Sequence, residues 1–309
     1  MHDMGKNKAF GGAAAGLGAY VLWGFFPLYW KLLSAFKPET ILCFRILHAA
    51  LFLFLLGLFS KRLGTMVRKL ADRRVLILVG ASAVLITVNW FVYIWAVNHA
   101  FIVESSLGYF INPLVSVALG VIFLKEKITP ILAVSVFFAL SGVAVMTAGY
   151  GRIPWISLIL AFSFATYGLT KKLVGLDGTT GLTLETGLLV LPTALFLGFS
   201  AASGGLTVRQ PSMPVILLSL LAGVITAIPL MLFGHASQRL SLSALGFLQY
   251  ISPTLQLMIG VLIYGEAFTS RHLLAFALIW LAILIYSVPQ IMGFRKRWRL
   301  SRQPSSIDG

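Results

Sequence analysis

Apolar stretches of roughly 20 residues, separated by short polar breaks, recur from about residue 10 to about residue 292, and this pattern leaves few folds open. A backbone that crosses lipid must satisfy its own N–H and C=O groups, which only helices and closed barrels do. A barrel needs period-two alternation in short segments, and the sequence has none. The pattern therefore predicts an all-α membrane protein with ten transmembrane helices. The spans are read at about 10–33, 40–60, 75–98, 101–124, 129–149, 154–174, 181–200, 213–234, 243–264 and 272–292. Short connections make neighbouring helices antiparallel. With 59% hydrophobic and 11% charged residues and a mean hydropathy of +0.94, the chain lacks the charge for a water-exposed surface. Soluble domains carry about 25% charged residues. No stretch between the spans is long enough for a soluble domain. The first apolar run is no cleaved signal peptide, because its small residues, Gly11 to Ala15, stand at its start and it continues to about Leu33.

The net charge is +15, which on a soluble protein would suggest nucleic acid. Here the basic residues sit in loops and tails, where they set topology and meet anionic headgroups, and no nucleic-acid partner is expected. With the N-terminus in the cytoplasm, eighteen Lys and Arg fall on the inner side: Lys6 and Lys8, the run from Lys61 to Arg74, Lys125 and Lys127, Lys171 and Lys172, Arg239, and the group from Arg295 to Arg302. Only Lys37, Arg152, Arg209 and Arg271 fall outside. The bias puts both termini inside, as an even number of spans requires. Cys43 is the single cysteine, which rules out an intramolecular disulfide and a Cys-based metal site. The five histidines are scattered, so no metal and no cofactor is expected. No Gly-x-x-x-x-Gly-Lys-Ser/Thr stretch occurs, which excludes direct ATP drive.

The segment from Ile111 to Thr129 aligns without a gap with Ile251 to Thr269, at the constant offset that carries position 111 to position 251. Ile111/Ile251, Pro113/Pro253, Gly120/Gly260, Val121/Val261, Glu126/Glu266 and Thr129/Thr269 are identical. Pro, Gly and Glu are not apolar filler, so the match reads as an internal repeat. The offset moves five helices along the chain. Five is odd, so the second copy enters the membrane from the opposite side. The expected organisation is two inverted five-helix repeats, at 8–149 and 150–292, followed by a basic cytoplasmic tail at 293–309. Inverted repeats are characteristic of transporters that expose a mid-depth site alternately to each side. Two fused repeats can form a complete pathway, so a monomer is expected.

Ala19-Tyr-Val-Leu-Trp-Gly-Phe-Phe-Pro-Leu-Tyr-Trp-Lys31, Asn89-Trp90, Ser106-Leu-Gly-Tyr-Phe-Ile-Asn-Pro-Leu114, Ala161-Phe-Ser-Phe164 and Leu245-Gly-Phe-Leu-Gln-Tyr-Ile-Ser-Pro-Thr254 resemble the RarD proteins, a bacterial subfamily of the EamA transporters within the drug/metabolite transporter superfamily. The resemblance runs from about residue 8 to 292. It implies ten helices in two EamA repeats, an inner-membrane location and export of small molecules. The sequence departs from the family at Cys43-Phe44-Arg45, where RarD proteins usually read Thr-His-Arg. Small drug exporters of the superfamily use a Glu in their first helix. This first helix has no acid between Ala9 and Leu33, so a proton-coupled mechanism would need Glu185 or Glu104.

Arg45 and Glu185 are ionisable groups inside spans, which cost roughly 2.5–3.5 kcal/mol near the bilayer centre and point to function. The repeat offset carries position 45 to position 185, so the two are equivalent, with Arg45 nearer the outer face and Glu185 nearer the inner. They read as mirror-related gating or coupling residues; local pairing or snorkelling to a headgroup is the competing account. Glu104 opens the fourth span and is a candidate partner for Arg45 or Lys31, while Glu39 is better suited to capping the second helix. Glu126 and Glu266 are expected to be solvated at helix ends. Asn112-Pro113 and Ser252-Pro253 each remove a backbone donor inside a span and are expected as helix breaks. Tyr109 and Asn112 in one repeat, and Gln249 and Tyr250 in the other, flank these prolines. With Trp23, Asn89 and Tyr93 they are the expected substrate pathway, suited to a flat, partly apolar solute. Gly12 and Gly16 form a small-xxx-small packing pair.

A membrane enzyme acting on lipid would need His, Asp or Ser clustered at one interface, and the sequence has no such constellation. A receptor or scaffold without transport is the alternative, but it would require neither inverted repeats nor polar groups at mid-depth. The sequence therefore predicts a secondary transporter of a small molecule, with lipid as its surroundings and protons as the candidate coupling ion.

Overall fold

Several helix starts in this chain are fixed by caps or by prolines in the first turn, as at Pro38 and Pro130. The computed structural model describes residues 2–99, 101–148, 154–207, 210–263 and 269–300. The helices are α1 (His2–Gly24), α2 (Phe26–Leu32), α3 (Pro38–Phe59), α4 (Leu63–Arg68), α5 (Arg73–Asn98), α6 (Ile102–Leu124), α7 (Pro130–Thr147), α8 (Trp155–Val174), α9 (Gly178–Ala202), α10 (Met213–Leu220), α11 (Ala222–Ser237), α12 (Leu242–Gln249), α13 (Ile251–Leu262) and α14 (Ser270–Leu300). Asp72 accepts from Arg74 N at 2.8 Å to start α5, and Thr129 Oγ1 accepts from Leu132 N at 3.2 Å to start α7. Asp177 and Ser241 do the same for α9 and α12, each at 3.0 Å. These bonds satisfy amides that a helix N-terminus leaves unpaired. Four pairs of helix starts, Pro38 and Gly178, Arg73 and Met213, Ile102 and Leu242, and Pro130 and Ser270, are each separated by the offset that carries 111 to 251.

Eight stretches among the described residues are long and apolar enough to cross a membrane: 10–32, 38–59, 73–96, 104–124, 130–147, 178–202, 213–237 and 242–259. Leu273–Tyr286 within α14 is apolar but shorter. Helix α8 falls short of that measure because Ser157, Ser163, Tyr167, Thr170, Lys171 and Lys172 dilute its apolar residues. All but Lys172 of these are buried, so α8 hides its polar groups in protein. The only β pairing among the described residues is an isolated bridge between Phe36 and Thr207. Glu266 and the tail beyond residue 300 lie outside the described residues.

The chain folds as two compact units. The first holds α1–α6 and α8–α13. Within it α5 packs on α8 and α11 on α1, α6 packs on α8 and α12 and α13 on α1, and α3 packs on α5 and α9 on α11. Helices α3 and α9 also pack on each other, as do α6 and α12. Tyr20, Phe164, Tyr167 and Phe233 sit in its core. The α3–α11 crossing is close: a Cβ at Gly223 would lie 2.2 Å from the carbonyl carbon of His48. Helix α1 packs through Gly12 and Gly16, where added Cβ atoms would meet Arg239 and Leu248. The second unit is the pair α7 and α14, which touch at Gly142, where a Cβ would meet the Ala275 carbonyl at 2.8 Å. Each unit draws helices from both halves of the sequence.

The two prolines expected as breaks behave differently. Helix α6 runs on through Pro113, whereas the chain is interrupted at Tyr250, between α12 and α13, three residues before Pro253. A third proline, Pro27, follows the elbow at Phe25 that separates α1 from α2.

Candidate functional site

The α1–α2 elbow begins the site. Pro27 has no N–H, so the Trp23 carbonyl four residues back loses its helical donor. Gln256 Nε2 takes its place, donating to Trp23 O at 3.1 Å and to Ser252 Oγ at 3.2 Å. Pro113 and Pro253 likewise withdraw the donors that would reach the carbonyls of Tyr109 and Gln249. Trp23, Tyr109 and Gln249 all line one cavity of the first unit, with about 490 Å³ of empty space including its mouth. The helices are interrupted at Phe25 and Tyr250, beside this cavity, and irregular backbone at membrane depth is tolerated only where protein buries it or it borders such a space.

Arg45 lies on the cavity wall, 2% exposed. Its Nε donates to Thr226 Oγ1 at 3.3 Å. Its Cζ stands 4.4 Å from the ring centres of both Trp30 and Trp90 and 5.9 Å from that of Phe26. Among the described residues no carboxylate comes within 4.0 Å of it, Glu104 included. The aromatic faces, negative at their centres, stabilise the guanidinium in place of an acid.

Asn89 lines the same cavity and is held in place by donation to Leu160 O and Ser163 Oγ, each at 3.0 Å. Tyr93 and Tyr109 meet edge to face at 5.6 Å. The structure thus brings together Trp23, Asn89, Tyr93, Tyr109, Gln249 and Arg45. Asn112 and Tyr250 stand behind the wall. Asn112 donates to Ala161 O at 2.7 Å, and Tyr250 is packed between Phe110 and Phe247 with its hydroxyl unpartnered among the described residues. Tyr20, Phe26, Trp90, Phe164, Ser252 and Gln256 also line the cavity, and sequence reasoning does not place them in the pathway. Ser252 and Gln256 are polar groups at helical spacing inside a span, a signal that could have found them. A smaller, tightly packed space of about 170 Å³ including its opening, bordered by Ser116, Gly168 and Leu242, shares Tyr20, Phe164 and Gln249 with the first. Those three side chains therefore partition the two spaces.

The predicted acids lie elsewhere. Glu185 is buried on α9, seven residues from its start, as Arg45 is from the start of α3. Lys171 Nζ bonds its Oε1 at 2.9 Å, and Tyr167 OH donates to Oε2 at 3.2 Å. Glu104 accepts from Ile156 N at 3.1 Å, satisfying an amide in the first turn of α8. Glu126 is more than a solvated helix end. Its carboxylate accepts from Leu242 N at 2.6 Å, Ser243 N at 3.2 Å and Ser243 Oγ at 2.7 Å, which ties the end of α6 to the start of α12. Gly120 gives it room, since a Cβ there would lie 2.9 Å from that carboxylate. On the same side of the first unit, Lys172 donates to the carbonyls of Ser237 and Leu240, and Gln238 donates to Lys171 O at 2.5 Å.

Residues 10–148 match the EamA-like transporter family. "Uncharacterized transporter YojE" of Bacillus subtilis is 44% identical over 284 residues, covering 88% of this chain and 92% of YojE. "Protein RarD" of Streptomyces exfoliatus is 42% identical over 280 residues, covering 91% of this chain and 89% of that protein. A solved crystal structure, described only as that of a protein, superposes with a TM-score of 0.67 at 17% identity, over 90% of this chain and 97% of the other. At that identity the likeness is one of fold.

Proposed function

The chain belongs to the RarD subfamily of the EamA transporters, in the drug/metabolite transporter superfamily, and from that premise we propose that it is a secondary transporter exporting a small metabolite or amphipathic drug by alternating access. It is a multi-pass membrane protein of the transporter class. The reading adds ten spans in two inverted repeats, residues 8–149 and 150–292, in the bacterial inner membrane with both termini cytoplasmic.

The observation that carries this reading is the exchange relation between the halves. The repeat offset takes the start of α3 to that of α9, α5 to α10, α6 to α12 and α7 to α14. The offset carries the body of α5 onto α10 and α11 together and that of α8 onto the second half of α1, so the packed pair α5–α8 becomes α11–α1, α6–α8 becomes α12–α1, and α3–α5 becomes α9–α11; all of these pairs are packed. An assembly with that relation has two equivalent arrangements, one opening each way, which is the basis of alternating access. The cavity beside Arg45 is then the substrate site. The hydrogen bonds of Glu126, Lys172 and Gln238 close the side away from α3's start. Tyr20, Phe164 and Gln249 form the partition between. One chain holds the whole pathway, so it acts as a monomer. Of the described acids, Glu185 is the one buried deep in a span, and it is the candidate carrier of a coupling proton.

Flux in sealed proteoliposomes tests this. Vesicles loaded with amino acids, aromatic amines and amphenicols are compared with and without a pH gradient, for wild type and Glu185→Gln. Saturable flux that is blocked by filling the cavity, as with Gln249→Trp, supports the cavity as the pathway. Gradient-accelerated flux lost in Glu185→Gln assigns the proton to Glu185. Flux indifferent to both leaves a facilitator with Glu185 in a structural role.

A further inference from the structure

Resting on the cavity being the substrate site, we infer that its substrate carries a single carboxylate attached to a flat, apolar body, and that Arg45 is the residue that receives the carboxylate. The guanidinium has two faces and an edge. Cζ lies over the rings of Trp30 and Trp90, 4.4 Å from each ring centre, so both rings meet the guanidinium without accepting its N–H groups as a carboxylate would. Nε is spent on Thr226. Among the described residues, Thr226 is the guanidinium's one hydrogen-bond partner and no carboxylate lies within 4.0 Å. That leaves the terminal N–H groups, the fork that accepts a carboxylate bidentately, without protein acceptors on a cavity wall.

The rest of the wall narrows the class. Arg45 is the only charged side chain among the described residues that line the cavity, so the wall carries one positive charge. A monoanion neutralises it. A cation would meet it unpaired, and a dianionic phosphate would leave one charge over in a low-dielectric site. Trp23, Phe26, Trp90 and Phe164 supply aromatic faces for a flat body. Asn89 and Gln249 add amides at the cavity's polar points, and both are uncharged, so the charge specificity falls to Arg45. This differs from a site for neutral or basic amphipathic drugs, which would need no buried cation.

Three probes with one common ring test the assignment: phenylacetate, phenylacetamide and phenethylamine. Each is titrated into the full chain in nanodiscs at neutral pH and followed by tryptophan fluorescence, for wild type, Arg45→Gln and Arg45→Lys. The expected result is phenylacetate binding about tenfold or more tighter than the amide in wild type, with the amine weakest. Arg45→Gln should abolish the preference for the acid, and Arg45→Lys should keep part of it, because a point charge remains but the planar fork is gone. Equal binding of acid and amide in wild type, or an acid preference that survives Arg45→Gln, overturns the carboxylate assignment and leaves the cavity reading standing. Binding of none of the three overturns both. The wild-type comparison decides the matter even where a variant folds poorly.

Discussion

Lys171 Nζ lies 2.9 Å from Glu185 Oε1, with the two side chains 2% and 1% exposed, and Tyr167 OH closes the carboxylate's other oxygen at 3.2 Å. Neither charge has water to retreat to. Removing one partner of such a pair leaves an uncompensated charge, at a cost of roughly 3–5 kcal/mol, whereas replacing both with apolar groups of similar volume is often near neutral. Lys171→Met and Glu185→Leu should therefore each lower the thermal unfolding temperature in detergent by several degrees, and the double variant should recover most of the loss. A double variant that loses the sum of the two single effects would show that the residues act independently.

Acid should weaken the start of α9 in a defined direction. Burial pushes the Asp177 carboxyl up, but the Thr180 hydroxyl and the backbone N–H groups of Thr180 and Thr179 outweigh it and hold the carboxyl below its ordinary range. The folded value thus lies under the unfolded one, roughly 3.9. The cap's contribution is complete above the unfolded value and is lost as pH falls through the folded one. Asp177→Ala should cost about 1 kcal/mol at neutral pH, and this deficit should shrink below about pH 4. Thermal unfolding of both proteins between neutral pH and about pH 3 measures it; parallel curves would remove the carboxylate from the account.

Two glycine-to-alanine changes should have opposite signs. At Gly223 a Cβ would lie 2.2 Å from the His48 carbonyl carbon and 2.3 Å from its oxygen, both backbone atoms that move only if α3 and α11 separate. Overpacking of this kind costs about 1–3 kcal/mol or more. At Gly187, inside α9, nothing lies within 4 Å of the added atom, so alanine should stabilise the helix by about 0.5–1 kcal/mol. Chemical unfolding of the two variants against wild type tests the pair. A tolerant Gly223→Ala would mean the α3–α11 crossing is looser than it stands here.

How far the sequence reaches depends on what kind of signal a feature leaves. Spans are legible because apolar length is a one-dimensional property, and the repeat offset, read from one aligned segment, recurs in four pairs of helix starts. Helix α8, read as the span 154–174, stands at Trp155–Val174 although its polar residues dilute its apolar length, because it turns them into the protein and keeps Phe162 and Leu173 exposed. Trp23, Asn89, Tyr93, Tyr109, Gln249 and Arg45 are legible as polar or amphipathic groups inside spans, and all six line the cavity. Asn112 and Tyr250 carry the same signal and pack behind the wall. Orientation around a helix decides between those outcomes, and a polar group at mid-depth does not reveal it. Glu126 escapes the sequence for a related reason. Its partners, Leu242 and Ser243, are more than a hundred positions away in the chain, and the repeated Gly120 that makes space for it explains itself only once they meet.

Glu126 offers a test of closure. Three donors converge on its carboxylate, two of them backbone amides at the start of α12, so the bond set holds the end of α6 against α12 beside the smaller space. Hydrogen bonds to a charged group contribute about 1.5–3 kcal/mol each, and losing even one net bond would raise the open population about tenfold or more. Ser116 borders that space and is 4% exposed. In a Cys43→Ser background, a Ser116→Cys probe should react slowly with a soluble maleimide while Glu126 is intact. It should react about tenfold faster with Glu126→Ala, and at an intermediate rate with Glu126→Gln, which keeps an acceptor but loses the charge. An unchanged rate in Glu126→Ala would reduce the carboxylate to a cap on α12 and move the barrier to Tyr20, Phe164 and Gln249, whose truncation would then be the variant that speeds the reaction.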